Sequence, residues 1–387
     1  MHKSLFRVGV AALLLGACSA SIGGASAVSG GAGNAGAVEP VPLANAPFTL
    51  RAIADLDDPW AMAFLPDGSA LITEQDGRLL HWREGGTAQP VSGTPSVAYA
   101  GQGGFGDVVL HPDFVQNRMV YLSWAAEGPG GKGAVVGRAR LSDDGTRLEG
   151  LAEIWRQSAF VSGNGHFGHR IAFGDDGKLY ISSGERQKFD PAQDMDSNLG
   201  KIVRLNDDGS IPADNPFASA GGVRAQIWTW GHRNPLGLAF DGAGQLWEIE
   251  MGPAGGDELN RITRGVNYGY PRVSNGDHYD GRDIADHATG DGFAAPALWW
   301  NPSISPGGLT FYGGGAFPAW RGSAFIPALG GTALVRVTFD GNGARQADRW
   351  DMGFRLRAVV AGPAGSLYLL ADGGNQGDGK LYRVEPR

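Results

Sequence analysis

The sequence predicts an all-β fold, a six-bladed β-propeller built from four-stranded antiparallel blades. Three observations predict it. Glycine supplies 64 of 387 residues while charged residues make up 19%, a balance that suits short strands and tight turns more than helices. One unit, an apolar strand, a turn holding Asp or Gly and a second apolar strand, returns six times along the chain. No long helix-period pattern competes with it.

The repeats run in order. Trp60-Ala61-Met62-Ala63-Phe64 passes through Pro66-Asp67-Gly68 to Ala70-Leu71-Ile72. Asp107-Val108-Val109-Leu110 leads to Met119-Val120-Tyr121-Leu122. Arg170-Ile171-Ala172-Phe173 leads to Leu179-Tyr180-Ile181. Leu236-Gly237-Leu238-Ala239-Phe240 leads to Leu246-Trp247. Gly308-Leu309-Thr310-Phe311-Tyr312 leads to Ser323-Ala324-Phe325-Ile326. Arg357-Ala358-Val359-Val360-Ala361 leads to Leu367-Tyr368-Leu369-Leu370. A spacing of very roughly 45–70 residues leaves room for four strands per repeat, and blades of four strands arranged radially form a propeller. One blade cannot bury both faces alone, so the ring has to close. Phe48 to Ile53 and Lys380 to Val384 are placed to share the last blade. The longest connections, Gly184 to Pro216 and Val266 to Ala295, are expected to carry function on a rigid frame.

The start of the chain reads differently. His2, Lys3 and Arg7 precede an apolar run from Val8 to Leu15, too short to span a bilayer as a mature helix. Leu15-Gly16-Ala17-Cys18 is similar to the cleavage box of bacterial lipoproteins, and Cys18 is the one cysteine of the chain. Residues 1–18 are therefore expected to be a signal peptide, with a leader cut near Ala25 or Ala27 as the alternative. Residues 19–46, rich in Gly, Ala and Ser, are expected to be a flexible tether, and residues 47–387 the propeller. An exported, periplasmic protein lipid-anchored at Cys18 follows. The net charge of -8 offers no basic stripe for nucleic acid.

On such a ring the first strand of each blade lines the channel, and the loops entering it form one rim. Chemically loaded residues fall at those entries: Gln102 before the second repeat, His166 before the third, Arg233 and Asn234 before the fourth, Arg355 and Arg357 at the sixth. A histidine in a glycine-rich loop is by itself an ordinary turn residue. Beside convergent Arg, Gln and Asn it becomes a candidate base. Arg355 and Arg357, two apart on a strand, share a face, and two like charges there call for an anion or solvent. The acidic, glycine-rich stretch from Glu250 to Asn260 offers carbonyls and carboxylates to a hard cation, without the spacing of an EF-hand.

Several stretches then carry a resemblance: Gly101-Gln102-Gly103-Gly104 with Asp107; His166-Phe167-Gly168 with Arg170; Gln193-Asp194 through Gly200-Lys201; Gly231-His232-Arg233-Asn234-Pro235; Gly252-Pro253 through Asp257-Glu258-Leu259-Asn260 with Asn267-Tyr268-Gly269; and Arg355-Leu356-Arg357. From about Pro47 onward the chain resembles the soluble aldose and glucose dehydrogenases that depend on pyrroloquinoline quinone (PQQ). The resemblance implies PQQ lying flat over the channel and Ca²⁺ held by the carbonyls of Gly252 and Pro253. It implies a second, structural Ca²⁺ at Glu258 and Tyr268. It implies cofactor contacts from Gln102, Arg233, Asn234, Tyr279, Ala328, Leu329, Arg355 and Arg357. His166 would be the base that takes the proton of the sugar's anomeric hydroxyl, with Arg233 assisting hydride transfer; a lactone would form, and electrons would pass to an external acceptor.

The chain departs from that pattern at four places. Gly330 stands after Ala328-Leu329 where a lysine is usual, with Arg336 the next cation in sequence. Phe105-Gly106 replaces a pair of aliphatic residues. His169 replaces a small residue and is expected to face a loop. Leu236 replaces a glutamine. Trp299 and Trp300 fit either a sugar-stacking face or the core. A non-catalytic ligand-binding propeller is the alternative, and a Ca²⁺-dependent lactonase ranks last because few acidic ligands stand at the channel entries.

Overall fold

The computed structural model describes residues 33–36, 38–341, 343–374 and 378–387. The expected signal peptide and Cys18 lie outside the described residues. Six four-stranded antiparallel sheets are present, as the repeats predict. Blade 1 comprises Pro59–Phe64, Ala70–Glu74, Leu79–Trp82 and Gln89–Val91. Blade 2 comprises Phe105–Leu110, Met119–Gly128, Gly131–Leu141 and Leu148–Arg156. Blade 3 comprises Gly168–Phe173, Leu179–Ser183, Lys201–Leu205 and Ile227–Trp230. Blade 4 comprises Pro235–Phe240, Leu246–Glu250, Asp257–Arg261 and Leu298–Trp300. Blade 5 comprises Thr310–Phe311, Ala324–Pro327, Ala333–Asp340 and Gly343–Asp351. Blade 6 comprises Leu356–Ala361, Leu367–Ala371 and Gly379–Pro386, with Phe48–Leu56 as its outer strand. Pairing of Phe48 with Pro386 through to Leu56 with Gly379 closes the ring with a strand from each end of the domain.

The continuous apolar runs are explained by burial on both faces. Along the second strands, consecutive side chains enter different inter-blade cores. Leu71 packs toward blade 2 and Ile72 toward blade 6; Leu122 and Tyr121, Leu369 and Leu370 divide in the same way. Six such cores, one per blade interface, hold the ring together. This is the period-two alternation of a strand with apolar partners on either side. Trp300 belongs to the core between blades 4 and 5 and donates its indole N–H to Gln346 Oε1 at 2.9 Å.

Val41–Pro42 lies parallel to Trp350–Asp351 as a fifth strand on blade 5. The Ala35 N–H donates to the Trp299 carbonyl at 2.8 Å, and Asn34 bonds both N–H and C=O of Asn301. Residues 34–36 and 41–42 thus satisfy backbone groups of blades 4 and 5 that would otherwise face solvent.

In five blades the innermost strand carries a register shift at one step: between Pro59 and Ala61, Phe105 and Val108, Gly168 and Ile171, Pro235 and Gly237, Leu356 and Ala358. Bulges re-aim side chains, and the residues within these are Trp60, Gly106, Asp107, His169, Arg170, Leu236 and Arg357. Arg170 ties the ring together. From blade 3 it donates to Asp107 Oδ1 of blade 2 at 3.2 Å, to the Leu236 carbonyl of blade 4 at 2.7 Å and to the Gly307 carbonyl at 2.6 Å. Its guanidinium lies 3.8 Å from the ring centre of Trp60 in blade 1. Removing one partner of a buried charge pair leaves the other uncompensated, at about 3–5 kcal/mol. Arg170→Ala is therefore expected to lower stability by about that amount, with part of the loss recovered in Arg170→Ala/Asp107→Asn. Unfolding midpoints in urea check it.

Candidate active site

A cavity of about 570 Å³ opens at one end of the channel. Gln102, Asn234, Tyr279, Leu329, Arg355 and Arg357, six of the expected cofactor contacts, line it, with Trp60, Phe167 and His169. Ala328 is buried beside Leu329 and does not line it. His166 and Arg233 lie at its edge, next to the lining residues Phe167 and Asn234, and both are buried.

The loop carrying His166 is held firmly despite its glycines. The His166 N–H donates to Gln102 Oε1 at 2.7 Å. Arg186, fully buried, donates to the carbonyls of Gly163 at 2.8 Å and of Gly165, and its guanidinium lies 3.7 Å from the ring centre of Phe167. Gly184 has to be glycine, because a Cβ there would meet the His166 carbonyl at 2.1 Å. The His166 Nδ1–H donates to Glu185 Oε1, and among the described residues nothing bonds Nε2. Glu185 in turn accepts the Phe189 N–H at 2.7 Å and that of Lys188. Burial holds the His166 imidazole below its ordinary value of 6.5, opposed by the hydrogen bond to Glu185. Burial would raise the Glu185 carboxyl, but the bond and charge of His166, the Phe189 N–H and the Arg233 charge together outweigh it and hold Glu185 below its ordinary value. The result is a neutral imidazole with its proton fixed on Nδ1 and a lone pair on Nε2, the form a general base needs.

Arg233 donates to the carbonyls of Met251 at 2.9 Å and Gly252 at 2.6 Å, and its guanidinium lies 5.6 Å from the ring centre of Tyr279. Its backbone N–H and that of Asn234 both donate to Glu250 Oε2, at 2.5 and 3.2 Å. The fully buried Asn234 amide has neither its oxygen nor its nitrogen partnered. Such an orphaned group on a cavity wall is a vacancy for a polar ligand.

The sequence calls for an anion between Arg355 and Arg357, and the chain supplies one. Asp372 Oδ2 accepts from Arg357 at 2.8 Å and Arg355 at 3.3 Å. Burial would raise the Asp372 carboxyl, but the charges of Arg357 and Arg355 hold it below the ordinary range. Arg336 does not replace the missing lysine: it pairs with Asp348 at 2.6 Å and bonds Ser323 at 3.1 Å, outside the cavity lining. A Cβ on Gly330 would meet Ser305 Oγ at 2.7 Å, so a hydroxyl on the cavity wall fills that space. Nor does His169 face a loop; it lines the cavity. Trp299 and Trp300 do not line it.

The expected metal residues divide into two groups. Gly252 and Pro253 lie against Arg233; their carbonyls accept from Arg233 and from the Gly255 N–H at 3.0 Å, and each keeps a second lone pair for a cation. Glu258 sits in a separate cluster in blade 4, where Asn260 Nδ2 lies 3.1 Å from Glu248, 3.3 Å from Glu250 and 3.4 Å from Glu258. The Tyr268 hydroxyl donates to the Arg261 carbonyl at 2.6 Å and accepts from the Thr263 N–H at 2.9 Å, which leaves its backbone carbonyl as the ligand atom. His232, Glu248 and Glu250 place ligand atoms within 4.8 Å of one another. Burial, then the Glu250 charge, pushes Glu248 well above the ordinary carboxylate range.

Glu185, Glu250 and Asp372 escape sequence reasoning, yet they share a rule with Glu74. Each lies at or just beyond the end of its blade's second strand and binds the loop entering the first strand of that blade; Glu74 accepts the Asp57 N–H at 2.6 Å. Aligning the repeats beyond their apolar cores would expose these carboxylates.

A buried neutral imidazole beside a cavity walled by guanidinium groups and an unpartnered amide is an arrangement that can take a proton from a bound ligand at a channel mouth. The comparisons with known proteins make the class specific. The glucose/sorbosone dehydrogenase family profile matches residues 56–383, and the chain belongs to that family of oxidoreductases. It is 42% identical over 341 residues to the aldose sugar dehydrogenase YliI of Escherichia coli, covering 86% of this chain and 91% of that one. The crystal structure of the apo soluble aldose sugar dehydrogenase from Escherichia coli superposes with a TM-score of 0.84 at 41% identity, over 88% of this chain and all of the other. The PQQ-bound aldose sugar dehydrogenase of Streptomyces coelicolor gives 0.72 at 28% identity, over 87% and 98%.

Because the base is the neutral imidazole and burial lowers its pKa, activity should hold as pH falls toward 6.5 and decline only below it. Glu185→Gln removes the anion that favours the protonated ring, so the acid limb should move to lower pH. Loss of orientation should cut kcat by about 10²-fold, within the range of general-base contributions. Rate profiles of both proteins against pH test the pair.

Proposed function

We propose that this chain is a PQQ- and Ca²⁺-dependent aldose dehydrogenase that oxidises the sugar at C1 to the lactone. The observation that carries the reading is the His166–Glu185 pair, with a free Nε2, at the edge of a cavity bearing the orphaned Asn234 amide. The residues fit an anionic, planar cofactor. Asn234 offers a donor and an acceptor without partners, and Arg355 and Arg357 with one Asp372 between them leave a net positive charge for carboxylates. The carbonyls of Gly252 and Pro253 would hold the Ca²⁺ at the cofactor, while Glu258 and the Tyr268 carbonyl would hold the structural one. Bound there, PQQ would supply the hydride acceptor and Ca²⁺ the charge that strengthens it.

The protein's part in the reaction follows from its own groups. His166 Nε2 takes the proton of the C1 hydroxyl as the C1–H bond gives up its hydride, so a hydride and a proton, two electrons and two protons in all, leave the sugar and a C=O forms. Glu185 holds the ring through Nδ1 and stabilises the imidazolium that results. Arg233, anchored on two carbonyls, places positive charge where electron density accumulates. Tyr279, 77% exposed, stands at the mouth beside it. Electrons then pass to an external acceptor. Export and a lipid anchor on Cys18 belong to the same proposal.

A non-catalytic binding propeller is favoured by one feature, the hydroxyl of Ser305 in place of a cation beside Gly330. Reconstitution separates the two. Chelator-stripped protein is given PQQ with and without Ca²⁺, and dye reduction is followed with a panel of aldoses. The enzyme requires both additions for turnover; no quinone binding at all supports the binding propeller, one that has lost its affinity for PQQ. His166→Ala should bind PQQ as wild type does while losing at least about 10²-fold in kcat. Arg355→Ala should weaken PQQ binding in the same titration. Cys18→Ser should abolish incorporation of labelled fatty acid and leave the protein in the soluble periplasmic fraction.

A further inference from the structure

Two departures from the family pattern, 63 residues apart in the sequence, occupy one place in the fold. A Cβ on Gly106 would lie 2.0 Å from Cε1 and 2.2 Å from Nδ1 of His169. The His169 ring therefore fills the space that a side chain at position 106 would take, and each residue requires the other. Both lie within the bulges that turn the innermost strands of blades 2 and 3 toward the channel.

The ring is fixed from several sides. It stacks on Trp60 with centroids 5.1 Å apart and planes 11° apart, and the edge of Phe167 stands 6.3 Å away. Ser123 Oγ lies 2.8 Å from Nδ1. That hydroxyl also accepts the Asp107 N–H at 2.7 Å; one lone pair is so used, and its hydrogen is free to go to Nδ1, the arrangement that leaves the imidazole proton on Nε2. Burial, then the charge of Arg170, pushes the imidazole down to about 3, so it is uncharged at any working pH. Its backbone adopts φ 60°, a left-handed conformation costly for a residue with a side chain. Among the described residues nothing bonds Nε2, and His169 lines the cavity. His169 contrasts with His166 in the partner of Nδ1, a hydroxyl where His166 has a carboxylate.

We propose that His169 is a cofactor-binding residue, whose neutral Nε2–H donates to an acceptor atom of the quinone bound in the cavity, with Trp60 and Gly106 setting its position. The proposal rests on the PQQ reading above. It gives the chain a fixed hydrogen-bond donor on the cavity wall, in a site whose usual lysine is replaced by Gly330.

The test is a PQQ titration of the metal-loaded protein without sugar, followed by the absorbance of bound quinone, alongside thermal midpoints. His169→Phe keeps a ring against Trp60 and removes the N–H. It should raise the Kd for PQQ about tenfold, the order of one hydrogen bond to an acceptor of this kind. His169→Gly suits φ 60° without strain and should raise it at least as much, which keeps the test intact if the Phe variant does not fold. Gly106→Ala should lower the thermal midpoint, and Gly106→Ala/His169→Gly should restore it in part, since Ser123 Oγ would still stand 2.8 Å from the new Cβ. An unchanged Kd in a folded His169 variant overturns the proposal. So does a raised KM for the aldose at an unchanged PQQ Kd, which would give the donor to the sugar. If wild type itself binds no PQQ, it is the cofactor reading that fails.

Discussion

The closure of the ring depends on what fills its axis, and the central occupant is the Arg170 guanidinium. A propeller packs its blades against one another with apolar cores, but at the axis six backbones converge and leave carbonyls with no strand partner. Arg170 answers two of those carbonyls, one carboxylate and one aromatic face, drawn from four blades other than its own. Its five donors in a rigid planar fork suit this better than an ammonium would. The bulges near the start of five innermost strands put it there, and they put Trp60, His169, Leu236 and Arg357 around it. The same distortion that satisfies the axis thus builds the inner wall of the cavity.

The rim is made rigid by carboxylates. Glu74, Glu185, Glu250 and Asp372 each reach from the end of a second strand to a loop entering the first strand of the same blade. A carboxylate accepts several hydrogen bonds at once, so one side chain can immobilise a glycine-rich turn and still hold a functional group. This resolves an apparent conflict in the sequence, where the candidate base sits among three glycines. The glycines permit positive φ and close backbone approach, as at Gly184, while Glu185, Arg186 and Gln102 remove the freedom that glycine brings.

The two histidines of the third blade's entry show how environment assigns role. His166 and His169 are both buried and both held below the ordinary imidazole value, yet their Nδ1 partners differ. A carboxylate can only accept a proton from the ring, whereas a hydroxyl can also give one. Resemblance to the family marks His166 and leaves His169 as a departure. Gly106 and His169, each unexplained alone, become a single feature once the ring is seen in the glycine's empty space.

Much was legible in the residues themselves. Fold class, blade count and the closing pair of strands follow from apolar runs and turn residues, because those patterns are local and repeat. The rim positions of Gln102, His166, Asn234 and Arg355 follow as well, since a residue just before a first strand can only stand at the channel mouth. Register was not legible. A bulge shifts a strand by one residue with no change in composition, and it decided that His169 and Arg357 enter the axis. Long-range partners were equally hidden: Glu185 for His166, Asp372 for the two arginines, Ser305 over Gly330. Hydrophobic period is written in neighbours along the chain, whereas a hydrogen bond between residues far apart exists only after the ring has closed and set them within 3 Å or so of each other.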